Sequence, residues 1–270
     1  MSLRSVLCRW LGCASAPPVP PPPIPVTGGP TIAVVNRATV ALGLPSRKTE
    51  TDLLAALQHY VDTLVAPAWG TPCHLVETAT IPAGAWSLVL LDDADAANAL
   101  GYHDLTADGL PLGKVFVRTT RQAGELVSVT ASHELVEMLV DPSINLLATG
   151  VVRVEDAYAY ETADAVEEDP NVLVDGFALS NFVLPTYFED FHPAGTRYDH
   201  VGVLREAFSL APGGYMAVLQ GGRWTQVFGS AEKAARFARE DRRDHRTELR
   251  AKRFRGEALR RSGRPASAAP

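Results

Sequence analysis

The side chains best suited to chemistry in this 270-residue chain lie in residues 126–142, Leu-Val-Ser-Val-Thr-Ala-Ser-His-Glu-Leu-Val-Glu-Met-Leu-Val-Asp-Pro. The pattern predicts a helix stopped by Pro142, because proline lacks the amide hydrogen and clashes with the preceding turn. At about 100° per residue, with His133 at zero, Glu137 falls at about 40°, Thr130 at about 60°, Asp141 at about 80° and Glu134 at about 100°. Val129, Ala131, Leu135, Val136, Met138, Leu139 and Val140 take nearly all of the remaining arc. A helix apolar around most of its circumference is buried, so its narrow polar stripe must face something that satisfies it. His133 and Glu137, one turn apart, can bind one cation together, with Glu134 beside them. The plainer alternative is an acidic stripe in which His133 pairs with Glu137 at i,i+4.

A catalytic zinc site uses three protein ligands and leaves one position open. Tyr160-Glu161-Thr162-Ala163-Asp164 begins the best candidate segment, and Glu161 would complete a His133, Glu137, Glu161 set. Asp164 is placed to accept a hydrogen bond from the other nitrogen of His133 and fix its tautomer. Asp156, Asp141 and Asp164 itself remain competing ligands. Asp141 lies two turns beyond His133, about 12 Å along the axis, and suits a loop contact better.

His133-Glu134-Leu135-Val136-Glu137, followed by Glu161-Thr162-Ala163-Asp164, resembles the zincin metallopeptidases, and more closely their gluzincin branch. Together with Ser180-Asn181-Phe182-Val183-Leu184-Pro185 and Ala211-Pro212-Gly213-Gly214-Tyr215-Met216, the motif also resembles uncharacterised bacterial and phage proteins of that kind, over roughly residues 85–220. The resemblance implies a metal-binding α+β fold in which Glu134 is the general base. It also implies that the strand at Lys114–Arg118 is an edge strand binding extended substrate. Glu137 stands where zincins have His. Extra carboxylates reduce the ability of a cation to acidify water, and favour a harder metal such as manganese.

The elements that must position this stripe follow from periodicity. Thr31–Asn36 reads as a buried strand, and Glu50–Ala66 as a helix with Thr49 or Thr51 as N-cap. His74–Thr80, Trp86–Leu91 and Lys114–Arg118 read as strands before the helix that carries His133. Beyond Pro142 the pattern shortens, with Val151–Val154 and Ala157–Glu161 as strand candidates. Asp175-Gly176 and Gly221-Gly222 each sit between two short apolar runs, which is the signature of a β-hairpin. Residues 231–260 read as a charged helix.

Apolar content of 46% and charged content of 21% are those of a globular protein with ample core. Cys8, Cys13 and Cys73 lack zinc-finger spacing and do not make a disulfide framework. Cys73, at a strand start, has no cue for reactivity. No run approaches a membrane span. Residues 17–25 form a proline-rich spacer, which divides a leader (1–29) from the metal-binding domain (30–230) and a basic helix with a loose tail (231–270). That tail holds 13 Lys+Arg against 6 Asp+Glu, so its net +7 leaves −13 on residues 1–230. Its acidic residues argue against specific nucleic-acid binding.

The expectation is therefore a zincin-like α+β fold: a mixed sheet packed on two helices, then an irregular hairpin-rich half and a charged helix. The cofactor is a divalent metal, zinc before others. The function is a peptidase-like hydrolase using metal-activated water, with Glu134 catalytic and a peptide as substrate. The alternative is a non-catalytic structural or interaction protein, such as a phage or prophage particle component. Location is cytoplasmic or virion-associated, with secretion left open. His103, His192, His200 and Tyr198 are read first as structural residues.

Overall fold

A computed structural model describes residues 28–95, 99–149, 156–168, 171–189 and 191–239. The leader, the proline spacer, Val151–Val154 and the tail beyond 239 lie outside the described residues.

The first half is a five-stranded sheet in the order β2-β1-β3-β5-β4. Its strands are β1 (Thr31–Asn36), β2 (His74–Glu77), β3 (Trp86–Leu91), β4 (Gly101–Leu105) and β5 (Pro111–Phe116). β1, β2, β3 and β5 are parallel, and β4 runs antiparallel to β5 at one edge. The expected Lys114–Arg118 strand is corrected in two ways. It ends at Phe116, after which α3 (Val117–Gln122) begins, and it lies inside the sheet. The edge strand is β4, a segment whose mixed polarity gave no clear alternation.

α1 (Glu50–Tyr60) starts at Thr49, which forms a capping box with Asp52. Each side chain satisfies a backbone N–H that the first helical turn leaves open. The helix continues through a π-helical turn, Val61–Val65, into α2 (Ala66–Trp69), and ends at Gly70 with φ 71°. α4 (Val127–Val140) carries the polar stripe and stops before Pro142, as the sequence implies.

Alternation in β1 and β3 sends Ile32, Leu88 and Leu90 to the face where α1 and α4 pack, with Leu57, Tyr60, Leu135 and Met138. Ala33, Val35 and Val89 point to the other face. Each large apolar side chain fully buried this way stabilises the fold by about 1.5–3 kcal/mol. α4 is buried on nearly every face, so a polar stripe on it has no water to turn to.

The second half is built of short elements. β6 (Leu147–Thr149), β7 (Ala157–Ala159), β10 (Tyr215–Gln220) and β11 (Arg223–Phe228) form an antiparallel sheet ordered β11-β10-β7-β6. β8 (Val172–Val174) and β9 (Phe177–Leu179) form the expected hairpin. Asp175 and Gly176 have φ 49° and 83°, the positive values that a two-residue type I′ turn requires. Gly221 and Gly222, at 56° and 77°, close the β10–β11 hairpin in the same way. α5 (Ala231–Arg239) docks on this half. Its Lys233 is buried and held by Glu167 (2.6 Å) and Glu168 (2.8 Å). No helix among the described residues is long and apolar enough to cross a membrane.

Candidate metal centre

The polar stripe of α4 meets β4 on one side and the loop at 160–164 on another. Gly101 and Gly113, on β4 and β5, let the helix lie close to the sheet. A Cβ on Gly101 would stand 2.7 Å from Glu134 Oε1, and one on Gly113 would stand 3.7 Å from Glu134 Cβ. Glycine in a strand marks such a close approach.

The 160–164 loop is fixed by the segment that follows β9. Val183 N–H donates to Thr162 O (2.7 Å), and Ser180 N–H donates to Ser132 Oγ on α4 (2.8 Å). Tyr60 Oη on α1 donates to Ser180 O (2.9 Å), and Ser128 Oγ donates to Ala178 O (2.7 Å). The same strip therefore ties both helices to the loop. Asp164 opens a short 3-10 turn, Asp164–Val166. Ala211 N–H bonds Ala165 O, and Gly214 lies so close that a Cβ would stand 2.1 Å from that oxygen. The Ser180–Pro185 and Ala211–Met216 strings are thus the braces of this loop.

Six ionisable residues converge at the junction: His103 from β4, His133, Glu134 and Glu137 from α4, and Glu161 and Asp164 from the loop. All are buried, the most exposed being His133 at 7%. His133 Nε2 lies 3.1 Å from Asp164 Oδ1 and 3.4 Å from Glu137 Oε1. The other oxygen, Glu137 Oε2, lies 3.5 Å from His103 Nδ1, and Glu134 Oε2 lies 3.9 Å from the same nitrogen. Glu161 Oε2 lies 3.9 Å from His103 Nε2. Two groups have the compactness of a cation site: His133, Glu137 and Asp164, and His103, Glu134 and Glu137. Two ligands about 2.0–2.2 Å from a tetrahedral cation are roughly 3.3–3.6 Å apart, which is close to most of these separations.

His133 and Glu137 meet as the helical spacing predicts. Asp164 reaches His133, but at the nitrogen that also faces Glu137, so it stands among the potential ligands rather than behind the ring. Glu161 enters the cluster through His103. Asp141 turns away, its Oδ1 accepting the N–H groups of Asn145 (2.9 Å) and Leu146 (3.2 Å) beyond the helix end. Asp156 receives a bond from Gln220 (3.3 Å). His192 bonds Glu189 O, and His200 stacks on Phe182 at 5.2 Å, so both have structural contacts of their own. Tyr198 meets His192 edge to face.

His103 is the residue that sequence reasoning missed. It is 1% exposed, and neither ring nitrogen makes a hydrogen bond; nor does Glu134 Oε2. Buried polar atoms in native proteins nearly always have partners; here Nδ1 lies 3.9 Å from Glu134 Oε2 and Nε2 lies 3.9 Å from Glu161 Oε2, beyond hydrogen-bond reach. The donor set of imidazoles and carboxylates fits a divalent cation. Burial alone would push both imidazole pKa values down. For His103, the adjoining carboxylates of Glu134 and Glu137 and the charge of Glu161 override it and lift the pKa to about 10. For His133, the Glu137 charge and the Asp164 hydrogen bond hold the imidazole well above its usual range. The carboxylates thus attract positive charge strongly enough to overcome desolvation.

Comparison of the chain with protein-family models, with curated proteins and with solved structures found no match.

Proposed function

We propose that the protein is a metal-dependent hydrolase of the zincin-like kind, acting on peptide bonds, with His133, Glu137 and Asp164 holding the cation. The observation that carries this reading is the buried convergence of histidines and carboxylates with unpartnered atoms among them. Each buried polar atom left unsatisfied costs about 1–3 kcal/mol, and a cation offsets that cost for several atoms at once. Zinc suits the imidazole, while the high share of carboxylates also admits manganese.

A divalent cation held there supplies Lewis acidity, polarising a carbonyl and easing loss of a proton from water. Glu134, next to His133 on the stripe and pinned against Gly101, is the carboxylate placed to take that proton. β4 borders the cluster and is an edge of its sheet, the element to which an extended peptide adds by backbone pairing. Mixed strand direction with an antiparallel edge beside the motif helix supports the family resemblance.

Burial of the entire cluster favours a second reading, a non-catalytic cation centre that staples β4, α4 and the 160–164 loop in a structural or particle protein. The test is metal content of the purified full chain, with a His133→Ala control, together with cleavage of a quenched peptide library. Metal with cleavage that Glu134→Gln abolishes supports the hydrolase. Metal without cleavage supports the structural centre, and absence of metal in the native protein overturns both.

A further inference from the structure

Glu137 is shared by both compact groups, and it presents a different oxygen to each: Oε1 to His133 and Oε2 to His103. We propose that the centre is dinuclear, with the Glu137 carboxylate bridging one cation held by His133 and Asp164 to a second held by His103 and Glu134. This rests on the metal-centre reading above and adds a site to it.

Three observations carry the second site. His103 Nδ1 and Glu134 Oε2 are buried, make no hydrogen bond and converge with Glu137 Oε2. Glu161 Oε2 lies behind the ring at Nε2 (3.9 Å). At that distance it makes no hydrogen bond, but its negative charge favours keeping the ring proton on Nε2, which leaves the Nδ1 lone pair directed at the site, as for metal-bound histidines oriented by a carboxylate. Charge gives the third argument. Once both imidazoles give up their extra proton, as metal ligands must, Glu134, Glu137, Glu161 and Asp164 leave a formal −4 among buried residues. One divalent cation halves that charge and two cancel it, and uncompensated charge in a protein interior costs several kcal/mol per ion.

A bridging carboxylate sets two cations about 3.5–4 Å apart, the spacing at which a pair can act on one substrate oxygen from both sides. Glu134 then binds through Oε2 and keeps Oε1 for a proton.

The experiment is equilibrium dialysis of the chelator-stripped full chain against Mn²⁺, followed by electron paramagnetic resonance of the loaded protein. The expected result is two Mn²⁺ per chain with the exchange-coupled spectrum of a bridged pair, falling to one uncoupled Mn²⁺ in His103→Ala. Thermal melts establish that the variants fold, and wild-type stoichiometry and coupling need no variant. One Mn²⁺ that His103→Ala keeps and His133→Ala loses overturns the second site and leaves the mononuclear reading intact. One Mn²⁺ lost in both variants means a single cation spanning both histidines, which also overturns it. Two uncoupled Mn²⁺ overturn the bridge, and no bound Mn²⁺ overturns the dinuclear site, while the metal content of the native chain decides the mononuclear reading separately.

Discussion

Glu134 is held on three sides: by the backbone of α4, by the close approach of Gly101 and by the imidazole of His103. Glu134→Gln keeps this shape and removes the basicity. Under the proposed function it is expected to lower peptide hydrolysis by about 10²–10⁴, with the proposed cation at His133 retained and the melting temperature little changed; rate and metal content measured on one preparation check this. Cys73 behaves in the opposite way to a reactive thiol. Burial, with the nearby Asp62 charge, pushes it up to about 12. At pH 8 an unfolded cysteine is roughly a quarter thiolate, so alkylation at Cys73 should be on the order of 10³ slower in the native chain than in urea. Peptide mapping of the iodoacetamide adduct separates it from Cys8 and Cys13, and rapid native labelling would contradict the packing described. That His133, Glu134, Glu137, Glu161 and Asp164 come together could be read from local patterns, a helical stripe and a short downstream motif, but which loop carboxylate faces His133 could not. The motif points to Glu161 as third ligand with Asp164 behind the ring, and the fold sets Asp164 against His133 Nε2 and Glu161 against His103. His103 was not legible. A histidine in a five-residue strand looks the same whether it faces solvent or the partner that sheet pairing brings to it, and that pairing is non-local.

At the level of elements, the strand–helix contact fixes how near α4 comes to β4 and β5. Gly101→Ala should displace Glu134 or part the helix from the sheet, costing about 1–3 kcal/mol as overpacking does. Urea denaturation measures the cost, and dialysis should show weakened binding at the His103 side of the cluster. Wild-type stability and binding would mean that the contact yields without consequence. The pattern of successes among the elements has the same physical basis as at the residues. α1, α4 and the two hairpins were read correctly because capping, helical period and glycine-bearing turns are written in consecutive residues. β4 and β6 were not anticipated, and β5 was carried two residues too far and placed at the edge. Strand order depends on which neighbours the rest of the chain supplies, and Val117 and Arg118 are as acceptable in a strand as in the first turn of α3. The zincin resemblance covers the motif and is compatible with a mixed sheet and two packed helices.

For the molecule as a whole, the two halves meet at the cluster, and α5 closes the second half from outside. Lys233 is 3% exposed, whereas Glu167 and Glu168 retain partial solvent contact. Phe237 packs against Tyr215 and Phe228, with ring centroids at 5.4 and 5.1 Å, so it serves packing rather than stacking on bases. Lys233→Ala should therefore destabilise the fold by about 1–3 kcal/mol through lost charge-assisted hydrogen bonds, measured by thermal melt. It should also weaken binding at His133, although Lys233 touches no candidate ligand; unchanged affinity in dialysis would refute that link. The reason lies in the short path between them. Asp164 begins the 3-10 turn whose C-cap, Glu167, is gripped by Lys233. A displacement of α5 therefore reaches, through that grip, a carboxylate only three residues from Glu167. If the cluster holds an ion as proposed, the C-terminal helix is a lever on it, because whatever shifts Lys233 also shifts Asp164, one of the proposed ligands.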